Sequence, residues 1–540
     1  MRKKIFIKVY LLPVICFLLI ANSSLLFAEN DFSLRIAPAI DAPLGIEQVS
    51  TGIGAAATLD WAFWPFAPKF NLGVSVGGTF ATLPAQAGDP LVLFEGKTGP
   101  FVRFRPFDRW SFNGGANVGV YQFSREDVSS VKGLMSFSLG ADFYLSPYFS
   151  IFGEGRYTQR VFSEGVPLYS LGANLGVRII FSELMSGRTR VNVEKTEQYR
   201  VYPVSWAWYE QNPVAHVTVT NEEPNAITDV SLSFFMESFM GQPWTFAVLP
   251  RLASGSSAEV PVTALFSEVM LSLTENVNAN GLIQIQYRSL GAKKETSFPV
   301  QMPIFHRNTL SWDDDRRAAA FVSPRDNAAR IFARYVSGAV DLHMESGLAS
   351  PAVKNVPANV RYAAAMFEAL RLYGISYVVV PALSFVNLHA DESALDNLTY
   401  PYETLYYRGG DCTYISILYC SLLEALNIET AFITIPGHLY MAFDVGNNDW
   451  MAGHQDIIEI EGRRWLPVEI TVPEEGFLRA WRIGARQWRS SGGDAMLYPI
   501  HECWEIYPSV TVTASVDYTP EMPYDTDIVE AMEAELSGYR

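Results

Sequence analysis

Residues 169–181 read YSLGANLGVRIIF. Tyr169, Leu171, Ala173, Leu175, Val177, Ile179 and Phe181 fall on one side of an extended chain, and Ser170, Gly172, Asn174, Gly176 and Arg178 take most of the other. A period of two is strand geometry, because successive side chains of a strand point to opposite faces. The same alternation runs through Phe70, Leu72, Val74, Val76 and Phe80, and again through Met135, Phe137, Leu139, Ala141, Phe143 and Leu145. Eight such runs begin near Phe32, Ile53, Phe70, Leu93, Phe112, Met135, Phe149 and Tyr169, with no helix pattern between them. Their polar face carries Arg35, Asp60, Glu95, Lys97, Arg103, Arg105, Asp142, Glu154, Arg156 and Arg178, both signs together, as an internal salt-bridge network needs.

A soluble barrel would put its apolar side chains inside. Apolar outside and charged inside is the membrane arrangement, so residues 29–183 are expected to form an eight-stranded antiparallel transmembrane β-barrel. Eight strands leave an interior that side chains fill, which argues against a pore. The closing LGVRIIF resembles the aromatic-ended last strand of outer-membrane barrels. Connections at residues 65–69, 107–109 and 146–148 are tight, while those at 84–90, 126–130 and 163–167 are longer. Short turns of such barrels face the periplasm, so an even strand count predicts a periplasmic location for everything after Ser182. The N-terminus fits an exported chain: Arg2, Lys3, Lys4 and Lys8, an apolar stretch over residues 9–20, and Ala28 before Glu29 predict a signal peptide of residues 1–28.

Charge narrows the partners. Forty Lys and Arg against 57 Asp and Glu give a net charge of −17, which excludes an electrostatic nucleic-acid partner. The expected partners are the outer-membrane lipid bilayer and a periplasmic protein or peptidoglycan substrate. Mature cysteines are Cys412, Cys420 and Cys503, too few for a disulfide scaffold. Residues 195–308 contain about seven short alternating runs with turn signals between them and predict an immunoglobulin-like β-sandwich spacer. The acidic, proline-containing stretch of residues 509–540 reads as a tail with a short helix over residues 527–536.

Residues 315–508 carry the chemistry. Ser323-Pro324 predicts a helix start, a second helix runs to Gly374, and a third starts at Asp411 or Cys412 and buries Ile415, Leu418, Leu422 and Leu426. Three blocks follow the order of one known family: PYETLYYRGGDCTYISILYCSLLEALNI at 401–428, IPGHLYMAFDV at 435–445 and WLPVEIT at 465–471. On these blocks the region resembles the transglutaminase-like superfamily of papain-type α+β fold. The resemblance covers about 200 residues and implies Cys412 as nucleophile, His438 as general base and acid, and Glu469 as the group that orients His438. The family usually has Asp where Glu469 stands, and Leu-Tyr-Met after His438 departs from its usual aromatic and acidic pattern.

Elementary chemistry points the same way. Unpaired N–H groups at a helix N-terminus favour thiolate over thiol, an imidazole within reach relays the proton, and a carboxylate behind it fixes the tautomer. Asp444 is a rival third member, but six residues of strand carry it roughly 20 Å from His438. Cys420 reads as core. His454, Asp456 and Glu459 lie close together without a metal-ligand pattern, so neither a metal nor a cofactor is expected. The expected function is amide hydrolysis or acyl transfer through a thioester on Cys412, at the periplasmic face of the outer membrane. The alternative is an inactive family member that keeps the cleft for binding or scaffolding.

Overall fold

The computed structural model describes residues 31–538 apart from 46–47, 68, 87, 126–127, 162–166, 379–393, 447–448 and 514–517. The expected signal peptide lies outside the described residues. Eight antiparallel strands, β1 (Asp31–Leu44), β2 (Gly52–Ala67), β3 (Phe70–Leu83), β4 (Leu91–Phe107), β5 (Trp110–Arg125), β6 (Val128–Tyr144), β7 (Phe149–Val161) and β8 (Pro167–Ile180), follow one another around a closed barrel. Closure comes from β1 pairing with β8, with Arg35 opposite Arg178.

The alternation sorts as expected. Leu139 is 76% exposed and Leu175 67%, while Arg178 and Asp142 have almost no accessible surface. Inside, Arg178 bridges Asp60 at 2.5 Å and Asp142 at 2.7 Å, and Arg35 joins Asp60 at 2.8 Å and also Glu154. A second group, on Asp41, takes Arg156 at 3.3 Å and Arg160 at 2.8 Å, and Arg160 also reaches Glu95. Asp41 and Arg160 extend the network beyond the residues expected to form it. Gly172 makes room for it, since a Cβ there would lie 2.9 Å from Arg156 Nη2.

Exposed aromatic side chains gather near the two ends of the barrel wall: Trp64, Phe66, Phe107, Trp110 and Phe149 by the tight turns, Phe80, Phe94 and Tyr157 toward the other end. From Phe70 to Phe80 the chain rises about 33 Å along the strand, or about 25 Å along a barrel axis at the usual tilt, which is the height of a membrane-barrel apolar band.

The chain leaves β8 at the tight-turn end through the short helix Phe181–Ser186. Seven strands follow: β9 (Val191–Gln198), β10 (Ala215–Asn221), β11 (Ile227–Phe235), β12 (Trp244–Leu252), β13 (Ser257–Val262), β14 (Val277–Ser289) and β15 (Ala292–Ile304). They form antiparallel sheets of order β13-β10-β9 and β12-β11-β14-β15, and Val217, Val219, Leu232, Phe234, Ile283 and Ile285 share one core. The run at 269–275, expected as a strand, is instead part of a short 3-10 helix, Glu268–Ser272, and the first strand is the polar β9. Salt bridges fix this unit to the barrel end. Lys294 joins Glu183 at 3.1 Å and Glu223 at 2.9 Å, and Asp108, in the β4–β5 turn, accepts from Ala226 N and pairs with Arg251.

The remaining residues build helices against a five-stranded antiparallel sheet. Its order is Ile458–Ile460, Arg463–Val468, His438–Asp444, Thr430–Ile435, Met496–Pro499. Helices Asn327–Glu345, Ala358–Tyr373 and Cys412–Glu424 share a core with one face of that sheet. Asp326, rather than Ser323, caps the first of these by accepting from Ala329 N. Gly374, at φ 91°, ends the second. The stretch read as a tail contains the helix Asp525–Ser537, which buries Ile528, Met532 and Leu536 in the same core.

Removing Arg178 leaves two buried carboxylates short of their shared cation. Arg178→Ala is expected to destabilise the barrel by about 3–5 kcal/mol, read from urea unfolding of the full chain in lipid vesicles; a change below about 1 kcal/mol would contradict this account of the interior.

Candidate functional site

Cys412 is the first residue of the helix Cys412–Glu424, and Asp411 caps it by accepting from Thr413 N at 2.9 Å and Tyr414 N at 3.0 Å. The approach to this cap is tightly constrained. Arg408 turns left-handed at φ 54° to end the helix Pro401–Tyr407. Gly409 and Gly410 then run parallel to Ser376 and Tyr377, and a Cβ on Gly410 would meet Tyr414 at 2.8 Å. Cys412 thus lies where helix N–H groups converge, with 6% of its surface exposed.

His438 begins the strand His438–Asp444 directly after a two-residue turn, because Ile435 pairs with it across Pro436-Gly437 and Gly437 supplies the positive φ, 78°, that the turn requires. Glu469 follows the strand Arg463–Val468, whose Val468 pairs with Met441. The two antiparallel strands therefore bring residues 31 apart into contact, with His438 Nε2 2.6 Å from Glu469 Oε2. The Cys412 thiol lies near enough to this imidazole to strengthen its hold on a proton, and its sulfur sits 4.0 Å from Thr413 Oγ1. All three expected residues meet in one place.

Other groups hold the pair. Thr471 donates to Glu469 Oε1 through its hydroxyl at 2.6 Å and its N–H at 3.1 Å. Glu469 N donates to Ala480 O in the helix Phe477–Ser491. The Tyr440 ring stacks on the His438 ring with centroids 5.7 Å apart, and its hydroxyl donates to Gly484 O. Sequence reasoning missed Tyr440 and the Phe477–Ser491 helix as supports. Tyr440 lies two residues from His438 on the same strand face, a signal the alternation contained. Asp444 sits at the far end of the strand, where it accepts from Gly446 N.

Electrostatics follow from burial and pairing. Burial pulls the His438 imidazole down, but bonds to Cys412 and Glu469 outweigh it and raise the group to about 10. Burial pushes Glu469 up, yet His438 and Thr471 hold it below its ordinary value. Burial lifts Asp411 to about 6 against the N–H donors of Tyr414 and Thr413. Cys420 and Cys503, also unpaired, are pushed up by burial, Cys420 well above the usual thiol range and Cys503 to about 12, which makes both poor nucleophiles. His454 Nδ1 accepts from Asp456 N, Asp456 pairs with Arg489 and Glu459 accepts from Gly453 N. Among the described residues, no three His, Cys, Asp or Glu side chains gather as metal ligands.

No protein-family model matches the chain, and no curated protein does. Among solved structures, the chain is similar to Neisserial surface protein A at 12% identity and TM-score 0.23, over 28% of this chain and 96% of that one. It is similar to Ail of Yersinia pestis at 18% identity and TM-score 0.20, over 28% and 97%, and to the outer membrane protein OprG of Pseudomonas aeruginosa at 12% and 0.21, over the same shares.

Two measurements test these electrostatics. His438 binds its proton more tightly folded than unfolded, so its contribution to stability is complete below about pH 6.5 and is lost as pH rises through about 10. Glu469 has the opposite sign: its share is present above about pH 4.5 and is lost as pH falls through its depressed folded value. In histidine-selective NMR titrations, Glu469→Gln is expected to lower the His438 midpoint by a unit or more, about 1.4 kcal/mol; an unmoved midpoint would refute the pairing. Asp411 takes up a proton more readily in the fold than unfolded, so that preference favours the fold in acid and is lost as pH rises through about 6. Asp411→Ala should cost about 1 kcal/mol in a denaturant melt at pH 7 while Asp411→Asn, which keeps an acceptor without the buried charge, should cost less. Equal losses would rule out the capping account.

Proposed function

We propose that this chain is an outer-membrane-anchored, periplasmic thiol enzyme of transglutaminase-like, papain-type design that opens an amide through a thioester on Cys412. The observation that carries the reading is the His438 Nε2–Glu469 Oε2 bond of 2.6 Å behind a cysteine at a helix N-terminus. The three sequence blocks around Cys412, His438 and Glu469 support it.

In this reading the Cys412 thiolate attacks the carbonyl carbon, and the developing oxyanion is met by the Cys412 N–H, since Thr413 N and Tyr414 N are held by Asp411. Protonated His438 gives its proton to the leaving amine as the C–N bond breaks, and a thioester remains. Neutral His438 then takes a proton from water or an incoming amine as that nucleophile attacks the thioester and the C–S bond breaks, which restores the Cys412 thiolate and protonated His438. Glu469 keeps the imidazole oriented and offsets its positive charge throughout. Envelope proteins and peptidoglycan stem peptides are the substrate candidates.

Membrane anchoring is supported by the apolar outer wall of the barrel, its aromatic ends and its salt-bridged interior. The periplasmic side is supported by the exit of the chain at the tight-turn end.

The test is a thiol-directed amide-mimic probe applied to the full chain in detergent. Labelling is expected on Cys412, lost in Cys412→Ala and reduced on the order of 100-fold or more in His438→Ala. Labelling that persists in Cys412→Ala would sink the enzyme reading and leave the binding or scaffold alternative.

A further inference from the structure

The helix Phe477–Ser491, FLRAWRIGARQWRSS, contains four arginines and no acidic residue, in a chain of net charge −17. Arg479, Arg482, Arg486 and Arg489 are spaced three, four and three residues apart, which puts them on one side of the helix, and all four are exposed. They form a row about 15 Å long. Arg479 pairs with Glu475 at 2.9 Å and Arg489 with Asp456 at 2.5 Å. Arg482 and Arg486, in the middle of the row, have no partner among the described residues.

The opposite side of this helix is already committed. Phe477, Ala480, Trp481, Gly484 and Ala485 are buried, and Ala480 O and Gly484 O are engaged by Glu469 and Tyr440. Helices that settle into a bilayer surface do so by burying a free apolar face, and this one has none to offer. What it presents is a rigid, linear set of guanidinium forks, a shape that suits successive carboxylates on an extended chain.

We infer that the arginine row on Phe477–Ser491 is a docking surface for an extended acidic peptide. The backbone of the same helix touches Glu469, so a peptide held on the row lies one helix thickness, about 10 Å, from the His438–Glu469 pair. That such a peptide also supplies the amide opened at Cys412 rests on the function proposed above; its binding to the row does not.

The experiment is fluorescence anisotropy of a labelled ten-residue polyglutamate with the full chain in nonionic detergent at low salt. Binding is expected to weaken as salt rises, to weaken about 10-fold in Arg482→Glu/Arg486→Glu, to weaken less in Arg482→Gln/Arg486→Gln, and to be unchanged in Cys412→Ala. The glutamine pair guards against a folding defect, since both positions are exposed and the change removes charge alone. No binding by the wild type, or equal binding by the glutamate pair, overturns the inference. So does row-dependent binding of phosphatidylglycerol vesicles by a chain that ignores the peptide. Failure of the amide-mimic probe at Cys412 with peptide binding intact removes the enzyme reading and leaves the docking surface standing.

Discussion

The edge strand of an open sheet leaves a row of backbone N–H and C=O groups without partners, and the pairing of β1 with β8 removes that edge. The rest of the architecture follows from closure. A closed ring of eight strands has an interior that must be filled, and much of the fill here is arginine against carboxylate, so Arg35, Arg156, Arg160 and Arg178 are each taken out of water with a carboxylate beside them. An even number of strands returns the chain to the end where it began, and the sandwich and the helical region are stacked outward from there.

The Cys412 region is governed by a different balance. His438 and Glu469 are packed where water is scarce, and each holds the other in its charged form. The strand pairing that positions His438 and Glu469 is an ordinary antiparallel ladder, and its accuracy comes from the Pro436-Gly437 turn and from the Phe477–Ser491 helix lying across it. The site is therefore built on regular elements rather than on loops, which favours precise placement of its groups.

Much of this was legible in the sequence because the relevant signals are periodic or local. Alternation along residues 169–181 gives both the strand and the face of Arg178, and Gly409-Gly410-Asp411 announces a helix start by the need for small residues and a cap. What escaped depends on partners distant in the chain. The strand β9 is polar along most of its length and owes its existence to pairing with β10, so it has no pattern of its own. The run at 269–275 alternates correctly but joins no strand among the described residues, and its first half lies in the 3-10 helix Glu268–Ser272. The acidic C-terminal stretch looked like solvent-facing chain, yet Ile528, Met532 and Leu536 recur at helical spacing and find the core. Asp41 and Arg160 were passed over because each is a single charge in an otherwise unremarked position, and only the curvature of the barrel brings them together.

The salt bridges at the barrel end have a geometric consequence. Lys294 between Glu183 and Glu223, together with Asp108 on Arg251 and Ala226, replaces what would otherwise be a hinge with several crossing struts. A floppy connector would let Cys412 sweep a broad volume, with its time spread thinly over many heights. Struts collapse that volume to a thin shell at one altitude above the barrel rim. Whatever meets Cys412 must itself come to that altitude, so this residue samples a layer of its surroundings rather than a sphere.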